Sequence, residues 1–216
     1  VTELPEGAWP RFHDFCRKVA DWLYRPTYRL RVTGLSNVPA AGPVVLVANH
    51  SSLVEPQMIF GALPRRAVFL VKRELFRGVV GWLLHRMGQI SVRRNEPDRA
   101  ALSTAVRVLR AGGLVAVFPE GSRGRGDMAT AHGGAAWLVR ASGARVLPVA
   151  CRGTLRPPGV RRRFRPVVDL AIGKPLDLDV ARGRAGLDEA TERLRKTLAE
   201  LVRELDERRA ESGIEK

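Results

Sequence analysis

The sequence predicts an α/β fold: a single domain with a mixed, mostly parallel central sheet flanked by helices, opened by an N-terminal amphipathic helix and closed by a C-terminal helix. Three observations carry that expectation. From residue 44 onward, short runs rich in β-branched residues alternate with stretches of helical periodicity, as in a sheet covered by helices. The length of 216 residues suits one core and is too short for two sizeable ones. At 45% hydrophobic and 27% charged residues, the composition is globular and excludes a largely disordered or fibrous chain.

Residues 8–25 place Phe12, Phe15, Cys16, Val19, Trp22 and Leu23 near helical spacing, with Arg11, Arg17 and Lys18 between them. Such a basic amphipathic helix suits either a surface position on the core or a membrane interface. Residues 1–30 are therefore read as an N-terminal helical segment and candidate membrane contact, ahead of a main domain over 31–216. Strands are expected at 44–48, 67–71, 89–92, 114–118, 146–150 and 167–172. Between them, 97–111 opens on Pro97 and spaces Leu102, Ala105, Val106 and Leu109 as one helical stripe. Glycines interrupt the helical patterns at 76–87 and 132–142. Leu187, Ala190, Leu194, Leu198, Leu201 and Leu205 mark a closing amphipathic helix, and the arginine-rich stretch 152–166 reads as an exposed basic loop or hairpin.

With 37 basic against 22 acidic residues the formal charge is +15, so the partner is expected to be anionic: nucleic acid, an acidic membrane surface, or a phosphorylated substrate or carrier. No apolar run approaches the roughly 18 residues of a spanning helix, and the N-terminus lacks a secretory layout, so any membrane association is expected to be peripheral. Cys16 and Cys151 make no disulfide framework and no C-x-x-C pair, which fits a reducing compartment. The nucleophile elbow, the P-loop and H-E-x-x-H are absent. Gly124, Gly126 and Ala129 satisfy a loose dinucleotide fingerprint in the wrong context, and His13, His50, His85 and His132 lack metal-ligand spacing, so no metal is expected. The basic stretch carries no interleaved stacking aromatics, which argues against nucleic acid.

Two strand ends carry the chemistry. VVLVANHSSLVEP runs from a buried strand straight into Asn49, His50, Ser51 and Ser52, then Glu55 and Pro56. Ligands bind at such strand ends in α/β sheets. Pro56 sets a helix start and should leave Glu55 just outside the helix, where a turn brings it to His50. A carboxylate on one imidazole nitrogen would make the other a general base; taken alone, a structural histidine capping the loop explains these residues at least as well. LVAVFPEGSRGRG repeats the pattern with Glu120, Gly121, Ser122, Arg123 and Arg125. Lys72 and the pair Arg93 and Arg94 close two further strands, so several strand ends offer cations to a phosphorylated substrate.

These residues resemble the glycerophospholipid acyltransferase family, typified by 1-acyl-sn-glycerol-3-phosphate acyltransferases, over residues 30–175. NHSSLVEP is similar to the family's Asn-His-x4-Asp block, GQISVRR to its Gly-x5-Arg block with Gly88 and Arg94 in the key places, FPEGSRG to its third block, and VLPVA to the fourth, around Pro148. VKRELF and HGGAAWLVRASGA also resemble family stretches.

The resemblance implies that His50, oriented by Glu55, deprotonates a hydroxyl of a lysophospholipid acceptor, which attacks the thioester of acyl-CoA or an acyl carrier protein. It implies Arg94, Arg123 and Lys72 as phosphate-binding cations, Glu120 and Gly121 as members of the same pocket, and Pro148 as a structural residue near the acyl path. Beyond the acyl thioester as co-substrate no cofactor is expected. The expected location is the cytoplasmic face of an anionic membrane, with peripheral attachment. Glu55 departs from the family, which usually carries Asp there. Other acceptors (a glycolipid, an ornithine lipid, glycerol 3-phosphate) and a catalytically silent lipid-binding protein remain alternatives.

Overall fold

The computed structural model describes residues 3–93, 98–121, 124–155 and 164–213. In chain order the elements are α1 (Pro10–Tyr24), β1 (Arg29–Thr33), β2 (Val44–Ala48), α2 (Glu55–Ala62), β3 (Ala67–Lys72), α3 (Gly78–Arg86), β4 (Ile90–Val92), α4 (Arg99–Arg110), β5 (Leu114–Val117), α5 (Gly134–Ser142), β6 (Arg145–Arg152), β7 (Val167–Ile172) and α6 (Gly183–Glu211). The strands form one mixed sheet in the order β1-β7-β6-β2-β5-β3-β4. β2 to β6 run parallel, while β7 pairs antiparallel with β6 and parallel with β1.

The continuous apolar run Val44–Ala48 is explained by its place: β2 lies between β6 and β5 and is buried on both faces. Val45 and Val47 join Val115, Val146 and Ala150 in the core beneath α4, α5 and α6. Val44, Leu46 and Ala48 join Leu147 and Val149 in the core with Met58, Ile59 and Phe60 of α2, against which Cys16 and Ala20 of α1 pack. The chain leaving β2 enters α2 on one face, and the chain leaving β5 enters α5 on the other. The C-terminal ends of β2 and β5 are therefore the topological switch point of the sheet, the place where open α/β sheets keep their ligand crevice.

Three sequence expectations need correction. β1 was not foreseen: RLRVT alternates arginine with apolar residues because it is an edge strand with alternately exposed and half-buried side chains. Glu55 is the first residue of α2 and not outside it, since Val54 already adopts helical dihedrals and its carbonyl accepts from the Met58 N–H at 3.0 Å. Arg152 belongs to no exposed loop: it ends β6 and pairs with Asp206 of α6 at 2.9 Å, while 156–163 of the basic stretch lie outside the described residues.

Helix α4 starts where Asp98 accepts from the Ala101 N–H at 3.1 Å, a side-chain cap. Along α6, Leu194, Leu198, Val202, Leu205 and Arg209 form the buried stripe. Arg209 ends that stripe on the buried Asp169 of β7, which also takes Arg31 of β1 at 2.6 Å. His13 is fully buried in α1, its Nδ1–H donating to the Met87 carbonyl at 2.6 Å; burial lowers its pKa and keeps it neutral, as suits a structural histidine.

Candidate active site

Three neighbouring strand ends build the site. His50 follows β2, the Phe118–Gly121 turn follows β5, and Arg152 to Thr154 close β6. The ring of His50 is buried, tilted over Phe118 with centroids 4.5 Å apart. Its backbone is held on both sides: its N–H donates to Glu120 Oε1 at 2.9 Å, and its carbonyl accepts from the Gly124 N–H at 3.0 Å. With the backbone fixed and the ring against an aromatic face, little freedom remains except at the ring's free edge.

Glu55 faces that ring from the first turn of α2, with Oε2 at 3.2 Å from His50 Nδ1. Oε2 also accepts from the N–H groups of Ser51 at 2.8 Å and Ser52 at 3.1 Å. Oε1 accepts from the hydroxyls of Ser51 at 2.5 Å and Thr154 at 2.6 Å. Burial works to raise the pKa of this carboxyl, but the bonds from His50, Ser51 and Thr154 together outweigh it and hold the group below its usual value. A charged Glu55 accepts, so in the neutral imidazole Nδ1 of His50 carries the proton and Nε2 keeps its lone pair. That tautomer is the one a general base requires.

Glu120 has the opposite balance. Burial, together with Asp127 and Glu55, raises its pKa, and the His50 N–H only partly offsets them. A folded-state value above the usual 4.5 means that Glu120 favours folding fully at lower pH and loses that contribution as pH rises through its own titration. Glu55 has the reverse sign and loses its contribution only as pH falls below 4.5, through its own lowered value. Glu120→Gln keeps an oxygen for the His50 N–H and removes the charge. The expected result is a melting temperature advantage for the variant that is absent near pH 4 and grows toward neutral pH. Parallel melting curves from pH 4 to 8 check this, and a gap that shrinks as pH rises would refute it.

Gly121 turns at φ +67°, and a Cβ there would lie 2.6 Å from Cδ2 of His132. Its N–H closes the turn on the Phe118 carbonyl at 3.1 Å. Lys72 stands at the end of β3 on the same sheet edge, partly exposed and 3.5 Å from Glu74. Pro148 is buried within β6, its ring close to Gly173 and its carbonyl accepting from the Gly173 N–H at 2.9 Å. Gly88 is buried against Leu4, Pro5 and Ala8. Arg94 and Arg123 lie outside the described residues. Of the expected site residues, the structure thus joins His50, Glu55 and Glu120 directly, sets Lys72 further along the edge, and places Pro148 inside the sheet.

Residues to which the sequence assigned no role complete the scaffold. Asn49 is fully buried; its Oδ1 accepts from the Cys151 N–H at 2.7 Å, and its Nδ2 donates to the carbonyls of Cys151 at 3.0 Å and Gly126 at 3.2 Å. It thereby ties β2 to β6 and to the loop after β5. Gly126 has φ +65°, and a Cβ would meet Asn49 Nδ2 at 2.7 Å. Arg152 donates to the Gly126 carbonyl at 2.9 Å while holding Asp206. Among the described residues no group of three or more His, Cys, Asp or Glu side chains could hold a metal ion.

Residues 29–152 match the family model described as Acyltransferase. The chain is 31% identical over 137 residues to "1-acyl-sn-glycerol-3-phosphate acyltransferase" of Streptococcus pneumoniae, an alignment of 62% of this chain and 50% of that protein. It is 26% identical over 201 residues to the protein of the same description from Bacillus subtilis, across 90% of this chain and 99% of that one. Among solved structures it resembles the 1-acyl-sn-glycerophosphate (LPA) acyltransferase, PlsC, of Thermotoga maritima, with a TM-score of 0.63 and 27% identity over 88% of this chain and 78% of that one. The chain spans about half the length of the Streptococcus pneumoniae protein and 42% of a chloroplast relative from Arabidopsis thaliana.

Proposed function

The chain belongs to the acyltransferase family, and from that membership we propose that it moves a fatty acyl group from acyl-CoA or an acyl carrier protein to a hydroxyl of lysophosphatidic acid. The observation that carries this reading is the His50–Glu55 couple, with Nδ1 engaged by the carboxylate, at the switch point where β2 and β5 diverge. His50 Nε2 takes the proton of the acceptor hydroxyl as its oxygen attacks the thioester carbonyl. The tetrahedral adduct then collapses, the C–S bond breaks, and the imidazolium returns the proton to the departing thiolate. Ester and thiol are the products, and no acyl-enzyme is formed. In this reading the guanidinium groups of Arg94 and Arg123 bind the acceptor's phosphate, as the family resemblance implies, and Lys72 adds a third cation.

Both substrates are amphiphiles or ride on one, and the surface suits a bilayer. No described helix is long and apolar enough to cross a membrane. Yet α1, packed on α2, leaves Phe15, Val19, Trp22 and Leu23 exposed, and α3 leaves Val79, Val80 and Trp82 exposed beside it. Trp9 and Trp82 meet edge to face at 5.9 Å, and the Arg86 guanidinium lies 4.5 Å over the Trp9 ring, joining the two helices into one aromatic and basic face. That face and the +15 charge support the reading of peripheral attachment to an anionic leaflet, proposed at the cytoplasmic side.

The test is thiol release from acyl-CoA and from acyl carrier protein with lysophosphatidic acid, glycerol 3-phosphate and a lysoglycolipid as acceptors. Lysophosphatidic acid is expected to give the highest kcat/KM; another acceptor ahead of it, or release that ignores the acceptor, overturns the assignment. In a parallel arm, co-sedimentation with phosphatidylglycerol vesicles should exceed that with neutral vesicles and fall with salt. Equal, salt-insensitive binding refutes the membrane reading.

A further inference from the structure

A buried carboxylate must obtain its hydrogen-bond donors from the protein, and Glu55 is fully buried. The donors to it divide by origin. Those from Ser51, Ser52 and His50 arise within five residues of Glu55 and travel with the same turn. Thr154 comes from 99 residues away, two positions past the end of β6, and donates to Oε1 at 2.6 Å. Its hydroxyl oxygen also lies 3.3 Å from that of Ser51, so the two hydroxyls form a pair over one carboxylate oxygen.

That division matters because Glu has one more rotatable bond than Asp between backbone and carboxylate. The additional torsion gives the charged end more ways to turn away from the imidazole, and fixing it costs conformational entropy. The local donors on Oε2 can follow the group as the turn shifts. A donor on Oε1 anchored to another strand cannot, and it sets the plane of the carboxylate relative to the sheet that carries His50.

We propose that Thr154 is a positioning residue for the acyl transfer: its hydroxyl clamps the outer oxygen of Glu55 so that the inner oxygen stays on Nδ1 of His50. Thr154 acts through Glu55 and touches no reacting atom. This inference rests on the proposed role of His50, and it deepens that reading by naming what makes a glutamate workable at this position.

The test is a double-mutant cycle with a rescue. Thr154→Val keeps the shape and removes the donor; kcat should fall about tenfold with the KM for lysophosphatidic acid unchanged, the scale expected for one charge-assisted bond. Thr154→Ser should restore most of it. In a Glu55→Gln background, adding Thr154→Val should cost less than twofold, because the charge being positioned is already gone. A residue that merely stabilises the end of β6 would cost the same factor in both backgrounds, and that result overturns the proposal. So does an unchanged kcat in Thr154→Val, or a Thr154→Ser variant as slow as Thr154→Val. Imidazole 15N NMR of His50 provides a readout that needs no turnover: its Nδ1 resonance should move in Thr154→Val and return in Thr154→Ser. An inactive wild type with that shift present separates failure of the catalytic reading from failure of the clamp, whereas an unmoved resonance overturns the clamp itself.

Discussion

Replacing His50 by Ala is expected to lower kcat for acyl transfer by about 10³-fold, within the range a positioned general base contributes. The size of the loss follows from the geometry. In the proposed mechanism His50 supplies the ring nitrogen that takes the proton at the ends of β2 and β5, and its Nδ1 is held by the buried Glu55. The cations proposed to bind the acceptor's phosphate are left unchanged, so KM should move far less than kcat. Glu55→Gln should fall between wild type and His50→Ala, because a carboxamide can still accept from Nδ1 but no longer balances the charge formed on the ring. Steady-state kinetics on variants with unchanged circular dichroism check both. A His50→Ala enzyme within tenfold of wild type would show that the proton leaves by another route.

Asp169→Ala is expected to be the most damaging single change to stability away from the site, costing about 3–5 kcal/mol. Asp169 and Arg209 are both 6% exposed, and Asp169 joins Arg209 of α6 to Arg31 of β1. Removing the carboxylate leaves the Arg209 guanidinium buried without its counter-charge, still donating to the Val167 carbonyl. For a domain of about 200 residues a loss of this size lowers Tm by roughly 6–20 °C. Arg209→Met should cost much less, since Asp169 keeps Arg31, and the pair Asp169→Leu with Arg209→Met should sit close to wild type because no isolated charge remains. Denaturant unfolding of the three variants decides the matter. A double variant as unstable as Asp169→Ala would mean that packing of α6, and not the buried charge, dominates.

Much of this architecture could be read from the chain because its signals are local. The strand at 44–48 and the strand at 167–172 stand where the apolar runs put them, and α4 follows its stripe with Asp98 as cap. β1 escaped notice because its alternate side chains are arginines on an open edge, a pattern that lacks the apolar density of a central strand. The partnership of His50 with Glu55 was visible because it spans five residues. Thr154, Arg152 and Asn49 were not, since each acquires its meaning from a contact between β6 and a turn that sequence separation hides. Glu120 was placed in the substrate's phosphate pocket on resemblance, while the structure directs its carboxylate at a backbone N–H, a role that residue type alone does not disclose.

The segments that meet at the site are separated by 70 residues between His50 and Glu120 and by 102 between Asn49 and Cys151 of β6. Closing loops of that size is slow relative to winding a helix such as α4, because the entropy of closure must be met before the contact rewards it. During refolding, helical ellipticity should therefore return ahead of catalytic competence. A chain caught between the two would carry sound helices and an idle imidazole, so thiol release is the stricter gauge of whether a preparation has reached its native arrangement.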